Sequence, residues 1–339
     1  MHAGSHFKLL EALIWTRRDL YKFALIASIA TVAYEVLDFK WISIPWIPVT
    51  LIGTAVAFLI GFKNNATYDR LWEARKIWGA IVNASRTWGV TARDFVTNDF
   101  GNSDLTKEEI HSIHKRLIYR HIAWLAALRH QLRQTKPWEN MNQRRNEEYR
   151  RRFSVREHDV SLESEMIDLL SDSDLKYVLA KKNRATHILS LQSADLKHLR
   201  SKDLIDDFRH VKLQGMIEEF YTEQGKCERI KNFPYPRQFA TLNRYFVWLF
   251  LLLLPLGMIA EFEKLGNILI WMNIPFSMLV SWVFYTMDKI GEVSENPFQG
   301  GANDIPITNL SRTIEIDLRE MLDESDIPAP TEAENQILM

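Results

Sequence analysis

A single cysteine, Cys227, stands in 339 residues. One thiol excludes an intrachain disulfide and a cysteine-built zinc cage. Net charge is almost absent as well, 42 Lys and Arg against 43 Asp and Glu, so no basic field invites a nucleic-acid partner. The first residues, MHAGSHFKLLEALIWTRRD, lack the basic start, apolar middle and small-residue cleavage site of a secretory signal. Any membrane insertion is therefore expected through uncleaved helices. There is no GxxxxGKS/T, GxSxG, HExxH or GxGxxG, so no enzymatic activity is expected. His111 and His114 are three apart near Glu108 and Glu109, but no third ligand stands at fixed spacing, and a solvated helix face accounts for them. Mean hydropathy is −0.19 although 47% of residues are hydrophobic. A wholly membranous chain would be clearly positive, so membrane spans must share the chain with a large polar part.

What is present is one long hybrid stretch, Trp41 to Trp78. From Trp41 to Phe62 it carries no charge over 22 residues, enough at about 1.5 Å per residue to cross a hydrocarbon core of about 30 Å. It then turns polar at Lys63, Asn64, Asn65 and Thr67, with no Pro or Gly after Gly61 to stop the helix before Trp78. One helix that leaves the bilayer and continues into water is expected. Before it, Phe7 to Asp19 reads as a short amphipathic helix, and Phe23 to Tyr34, lengthened to Phe39, as a first crossing.

Between Tyr68 and Arg237 no run is long and apolar enough to span. Helical spacing recurs there, at Leu71, Ala74, Trp78 and Ile81, at Leu117, Ile118, His121, Ile122 and Leu125, and again from Ala180 to Lys231. The loop GNSDLT, residues 101–106, leads into a helix that Asp104 or Thr106 caps. Arg144, Arg145, Arg150, Arg151 and Arg152 make a basic run, read as a solvated helix or loop, with a phosphate or lipid headgroup contact as the alternative. Two more apolar runs, Tyr245 to Ala260 and Leu265 to Thr286, are joined by the turn Glu261 to Lys264. They are expected to form a transmembrane hairpin, and the last residues to be disordered.

The expected fold is an all-α membrane protein with four transmembrane helices and a large helical cytosolic part. The divisions are an N-terminal amphipathic helix over 1–20, crossings 1 and 2 over 21–64, and a cytosolic helical domain over 65–239. Crossings 3 and 4 follow over 240–288 and a cytosolic tail over 289–339. Lys and Arg crowd before the first crossing and after Phe62, while the links on the other side carry only Lys40 and Lys264. That bias puts both termini in the cytoplasm of a multi-pass protein of the cell's inner membrane.

On the second crossing Thr54, Phe58 and Phe62 recur at every fourth residue, one stripe of the helix. The spacing serves equally for a packing face and, if several copies surround an axis, for apolar rings that line a pore. Gly53, Ala55, Ala57 and Gly61 lie on its other faces, where small residues allow neighbouring helices to come close.

The strings IGFKNNATYDRLWEARKIWGAIV (60–82), QGKCERIKNFPYP (224–236) and ENPF (295–298) together resemble the bestrophin family in its bacterial branch, over about Arg17 to Met321. The resemblance implies a homopentamer with one central ion pathway conducting small inorganic ions, chloride or other small anions first among them. It also implies a neck of three apolar rings, at the positions of Thr54, Phe58 and Phe62. Thr54 replaces a branched aliphatic residue, so the outermost ring would be wetter. Lys63 and Asn64 would then stand at the polar mouth, and counting back from Cys227 puts a cytosolic aperture ring at Val211. Animal members clasp calcium with an acidic run after NPF. Here that run reads QGGANDIP, leaving Asn296 and Asp304 of the clasp, so neither calcium nor another cofactor is expected. Lys63 would favour anions, Asp69 and Glu73 cations. A cation-permeable channel of the same fold and a non-conducting membrane scaffold or sensor are the alternatives.

Overall fold

The computed structural model describes residues 1–4, 6–98, 105–141 and 143–339. Among them the structure is helical, apart from isolated bridges of Ile337 with His2 and with Glu334. In chain order the helices are α1 (Leu9–Glu35), α2 (Trp46–Phe95), α3 (Lys107–Arg133), α4 (Arg144–Arg150), α5 (Arg156–Asp159), α6 (Leu162–Met166), α7 (Asp172–Leu179), α8 (Arg184–Ser201), α9 (Asp207–Asn232), α10 (Arg237–Glu263), α11 (Asn273–Val293) and α12 (Ile307–Glu320). The chain divides into two compact units. One holds residues 4–71 and 234–295, the other residues 1–3, 72–233 and 296–339.

The first unit contains α1, the start of α2, α10 and α11. Of the described helices α2, α10 and α11 are long and apolar enough to cross a membrane. The expected break between a short amphipathic helix and a first crossing is absent: α1 runs unbroken for 27 residues. It contains neither Pro nor Gly, and the charges of Arg17, Arg18 and Asp19 cost an α-helix nothing that ends it. The fourth run starts later than its composition suggests. Gly266 takes a φ of +120° and a 3₁₀ segment, Asn267–Met272, precedes α11, because a residue in that region cannot continue a right-handed helix.

Phe23, Val56, Ile60, Val247, Phe250 and Leu254 form the apolar core of this unit. Gly53 is where α2 meets α10, since a Cβ there would stand 2.7 Å from the Phe250 ring. Gly61, by contrast, has nothing within 4 Å of that position, and Ala55 and Ala57 are exposed. Pro255 lies inside α10, and the Asn273 side chain donates to its carbonyl at 3.2 Å and to the Thr31 hydroxyl at 3.0 Å. The Ser277 hydroxyl donates to Asn273 Oδ1 in turn, so Thr31, Asn273 and Ser277 satisfy one another between these helices.

The second unit is built on α3, which packs against α6, α8, α9 and α12. Thr106 starts α3 in a capping box with Glu109; Asp104, the other expected cap, lies outside the described residues. The spacing read from the sequence is the buried face: Ala74, Trp78, Ile81, Leu117, Ile118 and Leu125 are all inaccessible. His121 belongs to that core, tilted against Trp124 and Phe220 and 2.9 Å from the Ser85 hydroxyl. Of the basic run, Arg144 and Arg151 are largely exposed and pair with Glu148 and Glu147 along α4 and just beyond it. The end of the chain is packed, contrary to the expected disorder. Ile337 and Met339 are buried with Phe153 and Val155, and the Asn309 amide donates to the Met339 carbonyl at 2.7 Å. Two apolar anchors in an otherwise polar tail supply the burial that holds it.

Candidate functional site

The stripe on α2 is a real surface of the folded chain. Val49, Val56, Ile60, Lys63 and Thr67 form the buried side of the helix. Rotated away from them, Thr54, Phe58 and Phe62 are exposed, the two rings to 66% and 68%. Leu51 and Asn65 extend the exposed face at either end. The face borders an apolar groove of about 780 Å³ whose other wall includes Phe250, Leu254 and Phe284. Uncovered aromatic rings aligned along a helix are the kind of patch that a folded chain leaves for a partner or for lipid. The Thr54 hydroxyl donates to the Thr50 carbonyl at 2.9 Å, so its proton is taken within the helix and its methyl and one lone pair are left to face outward.

Two residues expected at the mouth turn elsewhere. Lys63 follows Phe62 by one position, about 100° around the helix, and that rotation carries it inward. Its side chain is 4% exposed, and its ammonium donates to Asp288 Oδ1 at 2.8 Å and to the Asp288 carbonyl at 3.1 Å. The same Oδ1 accepts from Asn243 at 2.8 Å. One buried triad thus ties α2, α10 and α11 together, and its charge is cancelled inside the unit. Asn64 also leaves the stripe: its amide donates to the Met287 carbonyl at 3.1 Å, and its Oδ1 lies close to Gly291. Asn65 is the polar residue that does follow Phe62 on the exposed face, and Asp69 is exposed one turn further on. Glu73 is paired with Arg229, so it offers no uncompensated charge either.

Val211 sits in the first turns of α9 and is 69% exposed. Phe208, one turn earlier, is 89% exposed, and sequence reasoning passed over it. The signal was there, an apolar residue three positions before Val211 on one face of a helix otherwise charged. His114, half of the histidine pair, turns inward to the Val96 carbonyl at 2.9 Å, and His111 is exposed. Among the described residues no group of three or more His, Cys, Asp or Glu is placed to hold a metal.

Asn296 and Asp304 are both buried. Asp304 Oδ2 accepts from the amides of Gly300 and Gly301 at 2.8 and 3.0 Å, and the Arg133 guanidinium stands 3.6 Å away. Calcium takes six to eight oxygen ligands with net negative charge, whereas this carboxylate closes its own loop against a fixed cation. Burial dominates its chemistry: the carboxyl is pushed up to about 6 by desolvation, against the pull of Arg133 and the two amides.

The family model described as Bacterial/Fungal Bestrophin protein matches residues 15–320. The chain is 27% identical over 297 residues to the voltage-dependent anion channel-forming protein YneE of Salmonella typhi, covering 87% of this chain and 82% of that one. A protein of Ralstonia nicotianae with the same descriptive name, RSc3414, is 26% identical over 296 residues, covering 84% and 83%. In three dimensions the chain is similar to a bacterial bestrophin homologue from Klebsiella pneumoniae, with a TM-score of 0.74 at 25% identity over 91% of this chain and 98% of that one.

Proposed function

The chain belongs to the bacterial/fungal bestrophin family, and on that premise we propose that it is an anion channel whose pore is lined by α2. Five copies would set the exposed stripe around a common axis, so that Thr54, Phe58 and Phe62 become three successive rings. The observation that carries this reading is the division of α2 itself, one side fully buried and the opposite side a line of uncovered aromatic rings. A ring of phenyl edges presents partial positive charge to a passing anion, and a narrow apolar throat also gates by dewetting. The relatives named as anion channel-forming proteins support the same reading.

In this account α1 is the first of four crossings, both termini face the cytoplasm of the inner membrane, and Val211 with Phe208 supplies a second constriction. No calcium or other cofactor takes part. Purified protein in planar bilayers should carry current, and Phe58→Ala or Phe62→Ala should raise open probability or change selectivity. Bilayers that stay silent in every salt would defeat the proposal.

A second reading has its own observation. With Lys63 neutralised inside the unit, Asp69 is the first charge on the exposed face beyond Phe62. A ring of carboxylates there concentrates cations, which makes a cation-permeable channel of the same fold the alternative that a reversal potential decides.

A further inference from the structure

The unit built on α3 encloses a cavity of about 770 Å³ between the end of α3, the start of α8 and the end of α9. Its wall is basic. Arg133 and Lys136 come from the end of α3 and just beyond it, Lys181 and Lys182 from the turn before α8, Arg184 from its first residue, and Lys231 from α9. Two acids face them, Glu157 and Glu228, and both are already engaged. Glu157 accepts from Arg129 and Thr308, and Glu228 from Gln131, Asn183 and Gln224.

The cations are engaged far less. Lys231 pairs with Glu139, and Lys181 lies over the Tyr177 ring. The side chains of Lys136, Lys182 and Arg184 have no hydrogen-bond or ion-pair partner among the described residues. Arg133 is the telling group. Its side chain is 1% exposed, yet none of its three guanidinium nitrogens has a hydrogen-bond partner among the described residues. Its charge is balanced by ion pairs with Glu157 and Asp304, each at 3.6 Å, but that is beyond hydrogen-bond reach and leaves the N–H donors over. A buried guanidinium that keeps all its donors is costly unless something accepts them. His130 and Arg133 complement the dipole at the end of α3, but that leaves the lysines and Arg184 unexplained. The N-terminal end of α8, an 18-residue helix capped by Asn183, adds its positive end to the same wall.

We propose that this cavity binds a small soluble anion carrying two or more phosphate groups. Cavities of about 300–1,000 Å³ suit ligands of that size, and a single phosphate would leave most of this one empty. A planar guanidinium with a surround of lysines is the donor set that phosphate oxygens take. The site lies apart from the α2 stripe and does not depend on which ion the pore passes.

The test is titration calorimetry on the full chain in detergent, with inorganic pyrophosphate and tripolyphosphate as probes and sulfate at matched ionic strength as control. Lys182→Ala combined with Arg184→Ala removes two partly exposed cations and leaves the core alone; circular dichroism checks that the fold is kept. Saturable binding is expected, weakened about tenfold or more in the double variant and unchanged in Lys202→Ala at the far end of α8. Absence of saturable binding to the polyphosphates, or equal affinity in the double variant, would overturn the proposal. A short-chain phosphoinositide that binds and loses affinity in the double variant, while pyrophosphate does not bind, would assign the site to a lipid headgroup and overturn the soluble ligand.

Discussion

Removing the Lys63 ammonium separates two roles for one residue. Its ion pair with Asp288 has side-chain exposures of 4% and 1% at a separation of 2.8 Å. At an effective dielectric of about 20 the attraction at that distance is about 6 kcal/mol. Much of this is consumed by desolvating both charges, and breaking such a pair from one side costs about 3–5 kcal/mol. Lys63→Met leaves Asp288 buried with Asn243 as its remaining side-chain donor among the described residues. The melting temperature of the detergent-solubilised protein should fall on the order of 5–10 °C. Asp288→Leu should do the same, and the double variant should recover at least about 2 kcal/mol of the summed loss, since well-packed apolar pairs replace buried ion pairs at little net cost. Ion selectivity of any folded Lys63→Met protein should be unchanged, because the ammonium is buried against Asp288 and away from the exposed stripe. A variant that melts within about 1 °C of the parent yet shifts the reversal potential would refute the burial of Lys63 and return it to the pore.

Two further outcomes follow from buried groups. The His121 imidazole is held down to about 3 by burial, below its ordinary value near 6.5, so its contribution is whole above about pH 6.5 and is lost as pH falls toward 3, at about 1.4 kcal/mol per pH unit. Asp304 runs the other way: raised to about 6, it contributes below about pH 4 and loses that contribution as pH rises through 6. The two slopes oppose one another, so denaturation midpoints of His121→Gln measured from pH 4 to 6 should fall with rising pH more steeply than those of the parent; parallel profiles would contradict a buried neutral imidazole. Gly53→Val should destabilise by about 1–3 kcal/mol through the Phe250 ring, whereas Gly61→Ala, with open space at its Cβ, should leave the thermal midpoint of the single chain unchanged.

Much of the first unit was legible because membrane helices announce themselves by length and lack of charge. The change of composition in α2 after Phe62 is plain in the sequence, but the side of the helix on which Lys63 lies is not. A one-residue step is 100° of rotation, and which side it reaches depends on a partner 225 positions away, which no local pattern reveals. The continuity of α1 was missed because a dip in hydropathy was taken for a break, although only Pro, Gly or an unpaired backbone forces one. The end of the chain failed for a related reason: two apolar anchors, Ile337 and Met339, decide its fate while its composition reads as disordered. Periodicity found the buried face of α3, yet it gave no sign that Arg133 near its end is buried. Burial of a guanidinium is a tertiary property, and the basic cavity around it was invisible for that reason.

The most direct test of the central claim is the reversal potential of the reconstituted channel in asymmetric potassium chloride. An anion pathway through the α2 rings predicts a potential displaced toward the chloride equilibrium value, with the displacement altered by Phe58→Ala. Displacement toward the potassium value would contradict it and give the pathway to cations gathered at Asp69.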